Sequence, residues 1–330
     1  MTEATRSVEK GLQEYDGLIL DADGVIYRGP RPVAHAIEIL TPIIAAMPWC
    51  VVTNNAANSP SVVVDKLSAL GLASVEKNVV TSPQGAVAFL RTTGVQAGAK
   101  VLVVGGFGIE EALRVDGFVP TRDRHDEIVA VVQGFGPDVG WRELADASYA
   151  IADGALWVAT NLDRNIPTEF GLAPGNGALV AAVREAVRRP PDAVTGKPEP
   201  LLFELAAERM SAARPLVIGD RIDTDIEGAN RAGMDSLLVL TGVVSLADLV
   251  ELAGADPIRR PTYLAADLRA LEGVMSDLRI AQDSPDAPDA LGGVRRSLAV
   301  AWSQAEPSRE CIADLERACR AAAGDSVLES

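Results

Sequence analysis

The chain has 330 residues, and its 46 acidic against 30 basic side chains leave a formal net charge of −16. A field of that sign repels phosphate backbones and anionic bilayers, so nucleic acid and membrane surfaces are excluded as bulk partners. Hydrophobic residues make up 48% of the chain, enough for more than one buried core, and the length suggests two compact units.

From Met1 to Tyr15 the chain is polar, with no apolar stretch ahead of a small-residue cleavage site. Eight short apolar runs follow, at 17–20, 49–52, 79–80, 101–104, 128–132, 156–159, 215–218 and 236–240. They alternate with helical patterns, which predicts an α/β fold around a mostly parallel sheet. None approaches the length of a membrane span. Three cysteines (Cys50, Cys311, Cys319) show no metal-ligand spacing and cannot all pair, which suits a reducing cytoplasm.

The first run ends in Asp21-Ala22-Asp23-Gly24-Val25. Two carboxylates at the mouth of a buried strand repel one another and call for a cation between them. A calcium loop fails, because the twelfth position from Asp21 is Pro32 where glutamate is required. The second run leads into Thr53-Asn54-Asn55, and Ser59, Pro60 and Gly71 punctuate a helix after it. Thr53-Asn54-Asn55 therefore leave the C-terminal end of a strand, where open α/β sheets bind ligands.

Gly105-Gly106-Phe107-Gly108 lacks the third glycine of a dinucleotide loop, since Glu111 stands in its place. Lys197, in Thr195-Gly196-Lys197-Pro198-Glu199-Pro200, is the only lysine after Lys100 and sits in a rigid turn that would hold one compact charge. Val217-Ile218-Gly219 then opens a second acidic cluster, Asp220-Arg221-Ile222-Asp223-Thr224-Asp225. Parallel strands end on one side of a sheet, so Asp21, Asp23 and Asp220 converge on one hard cation, with Mg²⁺ the natural choice. Asp223 reads as a solvated surface charge.

Beyond Arg260 the pattern changes. An Asp/Pro-rich linker at 277–288 precedes two helices, 294–303 and 307–323. Leu291, Val294, Leu298, Ala301 and Trp302 share one helical face; Ile312, Leu315 and Cys319 repeat the spacing, and packing against a hydrophobic surface is the expectation.

Asp21-x-Asp23-Gly-Val, Thr53-Asn54-Asn55, Gly196-Lys197-Pro198 and Gly219-Asp220-Arg221-x-Asp-Thr-Asp225-Ile226, in this order, resemble the haloacid dehalogenase superfamily of phosphatases, within it the NagD-like branch. The resemblance runs from Tyr15 to Leu271, and Ala22, where a larger apolar residue is frequent, departs from it without touching the chemistry. It implies a Rossmann-like parallel-sheet core (1–84 and 193–276), an inserted α/β cap (85–192) and a linker with helical extension (277–330). The 144 positions separating Thr53 from Lys197 exceed what a crossover needs and require a small α/β domain of their own.

The resemblance further implies Mg²⁺-dependent hydrolysis of small phosphomonoesters through an aspartyl-phosphate. Asp21 is then the nucleophile and Asp23 the acid and base. The metal lies on Asp21, Asp220 and the main-chain carbonyl of Asp23. Thr53, Asn54, Asn55 and Lys197 hold the phosphate, and Asp225 supports Lys197 or a metal-bound water. In the insert, Ala159-Thr160-Asn161-Leu162-Asp163-Arg164-Asn165 followed by Pro174-Gly175-Asn176-Gly177 resembles the cap segment facing the site, which makes Arg164 and Asn165 candidates for the leaving group. The expected partner is a small phosphorylated metabolite, glycerol 3-phosphate or a similar two- or three-carbon phosphate such as phosphoglycolate, and a homo-oligomer is compatible. A phosphotransferase or phosphomutase on the same site, and a non-catalytic phosphometabolite sensor, are the competing readings.

Overall fold

A computed structural model describes residues 12–125, 127–168, 170–281 and 289–324. These fall into two compact units. The first comprises the described residues up to Val51, Leu67–Ala73 and those from Ala206 onward; the second comprises Val52–Lys66 and Ser74–Leu205.

In the first unit the strands run in the order Tyr263–Ala265, Ser236–Val239, Pro215–Gly219, Gly17–Leu20 and the first three residues of Trp49–Thr53, every neighbouring pair parallel. Gly17–Leu20 is central and buried along its whole length, which is why it reads as an unbroken apolar run rather than an alternating one. Leu20 is in register with Ile218 on one side and Val51 on the other. Asp21 and Asp220 therefore emerge at the same edge, as the sequence requires of parallel neighbours. Tyr263–Ala265, which the apolar runs did not reveal, adds a short strand at the far end of this order.

The C-terminal helices Gly292–Trp302 and Arg309–Ala323 pack on this unit. Leu291, Val294, Leu298, Ala301, Leu315 and Cys319 share one buried cluster with Leu238, Leu249, Leu252 and Leu264. The second helix opens on Ser308, whose side chain accepts from the amide of Cys311. The expected linker is described only at 277–281; residues 282–288 lie outside the described residues.

Arg295 has no exposed surface. Its Nε donates to the Leu264 carbonyl at 2.8 Å, while Nη1 donates to the Asp277 carbonyl at 3.1 Å and to Asp289 Oδ1 at 2.9 Å. A guanidinium here fixes the first tail helix to the last strand, a role that the helical periodicity left unseen.

The second unit holds its own parallel sheet, in the order Ala193–Val194, Leu156–Ala159, Ile128–Gln133, Lys100–Val104 and Val119–Thr121. Successive residues serve opposite faces, as the two-residue period of a strand dictates. Val101, Val103, Ala130 and Val132 pack on helices Ser82–Thr92 and Phe107–Val115. Leu102, Val104, Val131 and Trp157 pack on Trp141–Ala152 and Asn176–Val187. An antiparallel pair, Asn165–Thr168 with Gly171–Pro174, stands outside this sheet.

Arg295→Ala should lower the unfolding free energy by about 2–4 kcal/mol, because it leaves the Leu264 and Asp277 carbonyls without their donor and strips Asp289 of its counter-charge. Urea denaturation of the two proteins checks this, and Arg295→Lys should recover only part of the loss because one ammonium cannot reach all three acceptors.

Candidate active site

The acidic site is assembled in the first unit from two strand ends. Asp21 continues the register of Gly17–Leu20, its amide donating to the Ile218 carbonyl at 2.9 Å. Asp220 follows Gly219 at the end of the neighbouring strand and is 1% exposed. Its Oδ2 accepts from the Val243 amide at 2.7 Å. Asp225, equally buried, lies in the widened helical turn Ile222–Ile226, where the Ile226 amide reaches back five residues to the Arg221 carbonyl at 3.1 Å. Single turns of this kind recur at functional sites because the extra residue re-aims a side chain. Asp21, Asp220 and Asp225 each place an oxygen within 4.8 Å of the others.

Two glycines make room for this convergence. Gly24 has φ +88°, and a Cβ there would stand 2.3 Å from Asp220 Oδ2; one on Gly242 would stand 1.7 Å from the same atom. The hydroxyl of Thr241 ties the two loops by donating to the Gly24 carbonyl at 2.7 Å. Oxygen-only donors, two of them buried, in a cradle that any side chain would fill, fit a hard divalent cation and no soft one.

Asp23 is exposed, one residue from this cradle, in a turn whose residues Asp23 and Tyr27 form an isolated bridge. Its side chain is outside the three-carboxylate group. Asp223 is also exposed and is held by both arms of Arg221, at 3.0 and 2.8 Å. Desolvation raises its carboxyl, and the hydrogen bonds and charge of Arg221 more than reverse that, so it lies below the ordinary carboxylate value.

The remaining sequence-derived residues lie in the second unit. Lys197 is 4% exposed, and its ammonium donates to the Val52 carbonyl at 3.1 Å. Thr53 Oγ1 accepts from the Asn55 amide at 3.1 Å. Asn55 Oδ1 in turn accepts from the amides of Ala57 and Asn58, a turn that shapes the loop ahead of helix Pro60–Ala69. Asn54 Oδ1 accepts from the Lys197 amide at 2.8 Å, and its Nδ2 donates to the Lys197 carbonyl at 3.0 Å. Arg164 and Asn165 are exposed at the start of the antiparallel pair.

Sequence reasoning did not single out Asp163, whose carboxylate accepts from Asn54 Nδ2 at 3.2 Å through both oxygens. A lone acidic residue in a polar loop carries no signal of that kind. Nor did it group Asp225 with the metal carboxylates, because only the widened turn brings it round.

Residues 18–119 match the family model of haloacid dehalogenase-like hydrolases, and residues 194–271 match that of the HAD-hydrolase-like proteins. The D-glycerol 3-phosphate phosphatase of Mycobacterium tuberculosis is 46% identical over 259 residues, 78% of this chain and 71% of the relative. The chain belongs to the haloacid dehalogenase-like hydrolases. An acid sugar phosphatase of Staphylococcus aureus is 32% identical over 72% of this hydrolase and 91% of the relative. Among solved structures, a glycerol phosphate phosphatase from Mycobacterium tuberculosis in complex with magnesium superposes with a TM-score of 0.83 at 38% identity, covering 96% of this chain and 98% of its own. The p-nitrophenyl phosphatase of Archaeoglobus fulgidus gives 0.71 at 28% identity, over 78% and 98%. No helix among the described residues of the hydrolase is long and apolar enough to cross a membrane.

Gly242→Ala should perturb the acidic site more than its surroundings, since the added methyl cannot coexist with Asp220 at its present place. We expect a stability loss of about 1–3 kcal/mol by thermal melting, the range for forced overpacking, together with loss of divalent-cation binding by titration calorimetry.

Proposed function

We propose that the protein is a Mg²⁺-dependent phosphatase of small phosphomonoesters that works through an aspartyl-phosphate on Asp21, with glycerol 3-phosphate or a similar two- or three-carbon phosphate as substrate. The convergence of Asp21, Asp220 and Asp225 within 4.8 Å carries this reading. The naming of relatives as a D-glycerol 3-phosphate phosphatase and an acid sugar phosphatase supports the substrate class.

Asp21, Asp220 and the main-chain carbonyl of Asp23 would hold the cation, with Asp225 beside them; when bound, it offsets the repulsion between carboxylate and phosphate. An Asp21 oxygen forms a bond to phosphorus as the ester P–O bond breaks, and Asp23 gives its proton to the leaving alcohol. Water then attacks phosphorus, Asp23 recovers a proton from it, and the Asp21–phosphorus bond breaks to release inorganic phosphate. Thr53 and Lys197 take the other phosphate oxygens, with main-chain amides of the Asn54-Asn55 loop. Positioning and electrostatics supply most of the rate in such a transfer.

Arg164 and Asn165 are assigned to the leaving group, within a cap formed by residues 85–192. Residues 1–84 and 193–276 form the core, and 277–330 the extension. A cap of that size favours small organic groups over macromolecular phosphates. Three cysteines without a pairing pattern suit a cytoplasmic location.

Asp21→Asn should keep the fold and lower phosphate release by about a thousandfold or more, because the amide is a poor nucleophile; near-normal release from the folded variant would remove covalent catalysis from this position. Asp23→Asn should hurt an alkyl phosphate more than p-nitrophenyl phosphate, whose leaving group needs less protonation. Excess chelator should abolish turnover and Mg²⁺ restore it. Lys197→Arg should lose most activity despite its charge, since a planar fork does not fit the place of a buried ammonium.

A further inference from the structure

We infer that Asp163 is a positioning residue for the phosphatase reaction, acting through the Asn54 side chain to fix the main chain at Lys197. The inference rests on the phosphatase reading and adds to it a residue that never touches substrate.

The observation behind it is how completely the Asn54 amide is used. Its oxygen accepts from the Lys197 amide at 2.8 Å, and its nitrogen donates to the Lys197 carbonyl at 3.0 Å. One side chain thus grips both polar groups of a single residue, leaving that residue little freedom to shift or rotate. The gripped backbone cannot carry a side chain at the preceding position: a Cβ on Gly196 would stand 2.6 Å from Asn54 Oδ1 and 2.2 Å from the Thr160 carbonyl. Gly196 is therefore part of the grip.

An amide can make these two bonds only in one orientation, and Asp163 reinforces it. Its two carboxylate oxygens both lie 3.2 Å from Asn54 Nδ2, so the nitrogen faces Asp163 and the oxygen faces the Lys197 amide. Flipping the amide would place oxygen against carboxylate, two acceptors with no proton between them. A carboxylate is suited to this because it only accepts, whereas a neutral amide in its place could turn either way.

Asp163 is itself held from behind. Its amide donates to Asn161 Oδ1 at 3.2 Å, and its carbonyl accepts from the Gly177 amide at 2.9 Å. Asn161 Nδ2 donates to the Asn54 carbonyl at 2.8 Å, and Asn176 Nδ2 donates to the Asn161 carbonyl at 2.7 Å. Asn161 and Asn176 are 3% and 1% exposed. A Cβ on Gly175 would lie 2.3 Å from the Asp163 carbonyl, and one on Gly177 would lie 2.2 Å from that of Leu162. The Pro174-Gly175-Asn176-Gly177 segment thereby gains a physical purpose: its glycines let helix Asn176–Val187 begin against the loop that presents Asp163. Arg164 is the next residue, so the loop assigned to the leaving group and the lysine assigned to the phosphate share one hydrogen-bonded scaffold.

The test is a double-mutant cycle on the full-length, Mg²⁺-loaded protein, with p-nitrophenyl phosphate turnover and inorganic phosphate binding measured for wild type, Asp163→Ala, Asp163→Asn, Lys197→Ala and the Asp163→Ala/Lys197→Ala pair. We expect Asp163→Ala to lower kcat/KM by about tenfold or more and to weaken phosphate binding, with Asp163→Asn, whose amide can turn either way, recovering only part of both. In the Lys197→Ala background the same Asp163→Ala change should cost less than about twofold, because a residue acting through Lys197 has nothing left to position. Equal losses in the two backgrounds, or unchanged turnover and phosphate binding in Asp163→Ala, would overturn the inference. If wild type itself releases no phosphate, the phosphatase reading fails instead. The phosphate-binding comparison then still decides the role of Asp163, since loss of affinity supports it and unchanged affinity refutes it. Melting temperatures for every variant separate loss of fold from loss of position.

Discussion

Three carboxylates with oxygens within 4.8 Å of one another, two of them buried, repel by roughly 3 kcal/mol per pair at an effective protein dielectric of about 20. Much of the first unit is arranged to impose that repulsion. Parallel register brings Asp21 and Asp220 to one edge, the widened turn at Ile222–Ile226 swings Asp225 inward, and Gly24 and Gly242 yield the space a side chain would occupy. The Val243 amide and the Arg221 amide each donate to one of these carboxylates and partly offset the charge. Three carboxylate oxygens held this close suit a small hard cation, which takes oxygen ligands.

The second unit buries the Lys197 ammonium. An ammonium 4% exposed is expensive, and its position is constrained through its main chain by the two bonds from Asn54. The main-chain part of this placement comes from side-chain amides. Asn54, Asn161 and Asn176 form successive layers: Asn161 donates to the main-chain carbonyl of Asn54, and Asn176 to that of Asn161. Amides suit such layers because each offers both a donor and an acceptor in fixed relation.

The tail shows how a surface problem was solved without touching the chemistry. Leu238, Leu249 and Leu264 would face water if the helices Gly292–Trp302 and Arg309–Ala323 did not pack on them. The helices bring their own apolar stripe, and Arg295 secures the junction by reaching the strand carbonyl of Leu264. Burial of a whole guanidinium is tolerable only because each of its three nitrogens finds an acceptor.

The sequence by itself determined the α/β class, the positions of most strands and the four motifs, because each depends on local pattern: a buried parallel strand is a continuous apolar run, and the acidic motifs sit directly after two of these runs. It also determined that Asp21 and Asp220 share an edge, since parallel order leaves no alternative. The tail faces were legible from helical spacing alone. Tertiary structure decided what local pattern cannot encode. Asp225 joins the carboxylates only through a one-residue widening of a helical turn, and Tyr263–Ala265 is a strand of three residues, too short for a periodic signal. The bond between Asn54 and Asp163 spans 109 positions, and Arg295 reaches Leu264 across 31. Such contacts have no periodicity, because their geometry is set by the packing of whole elements rather than by the residues that make them.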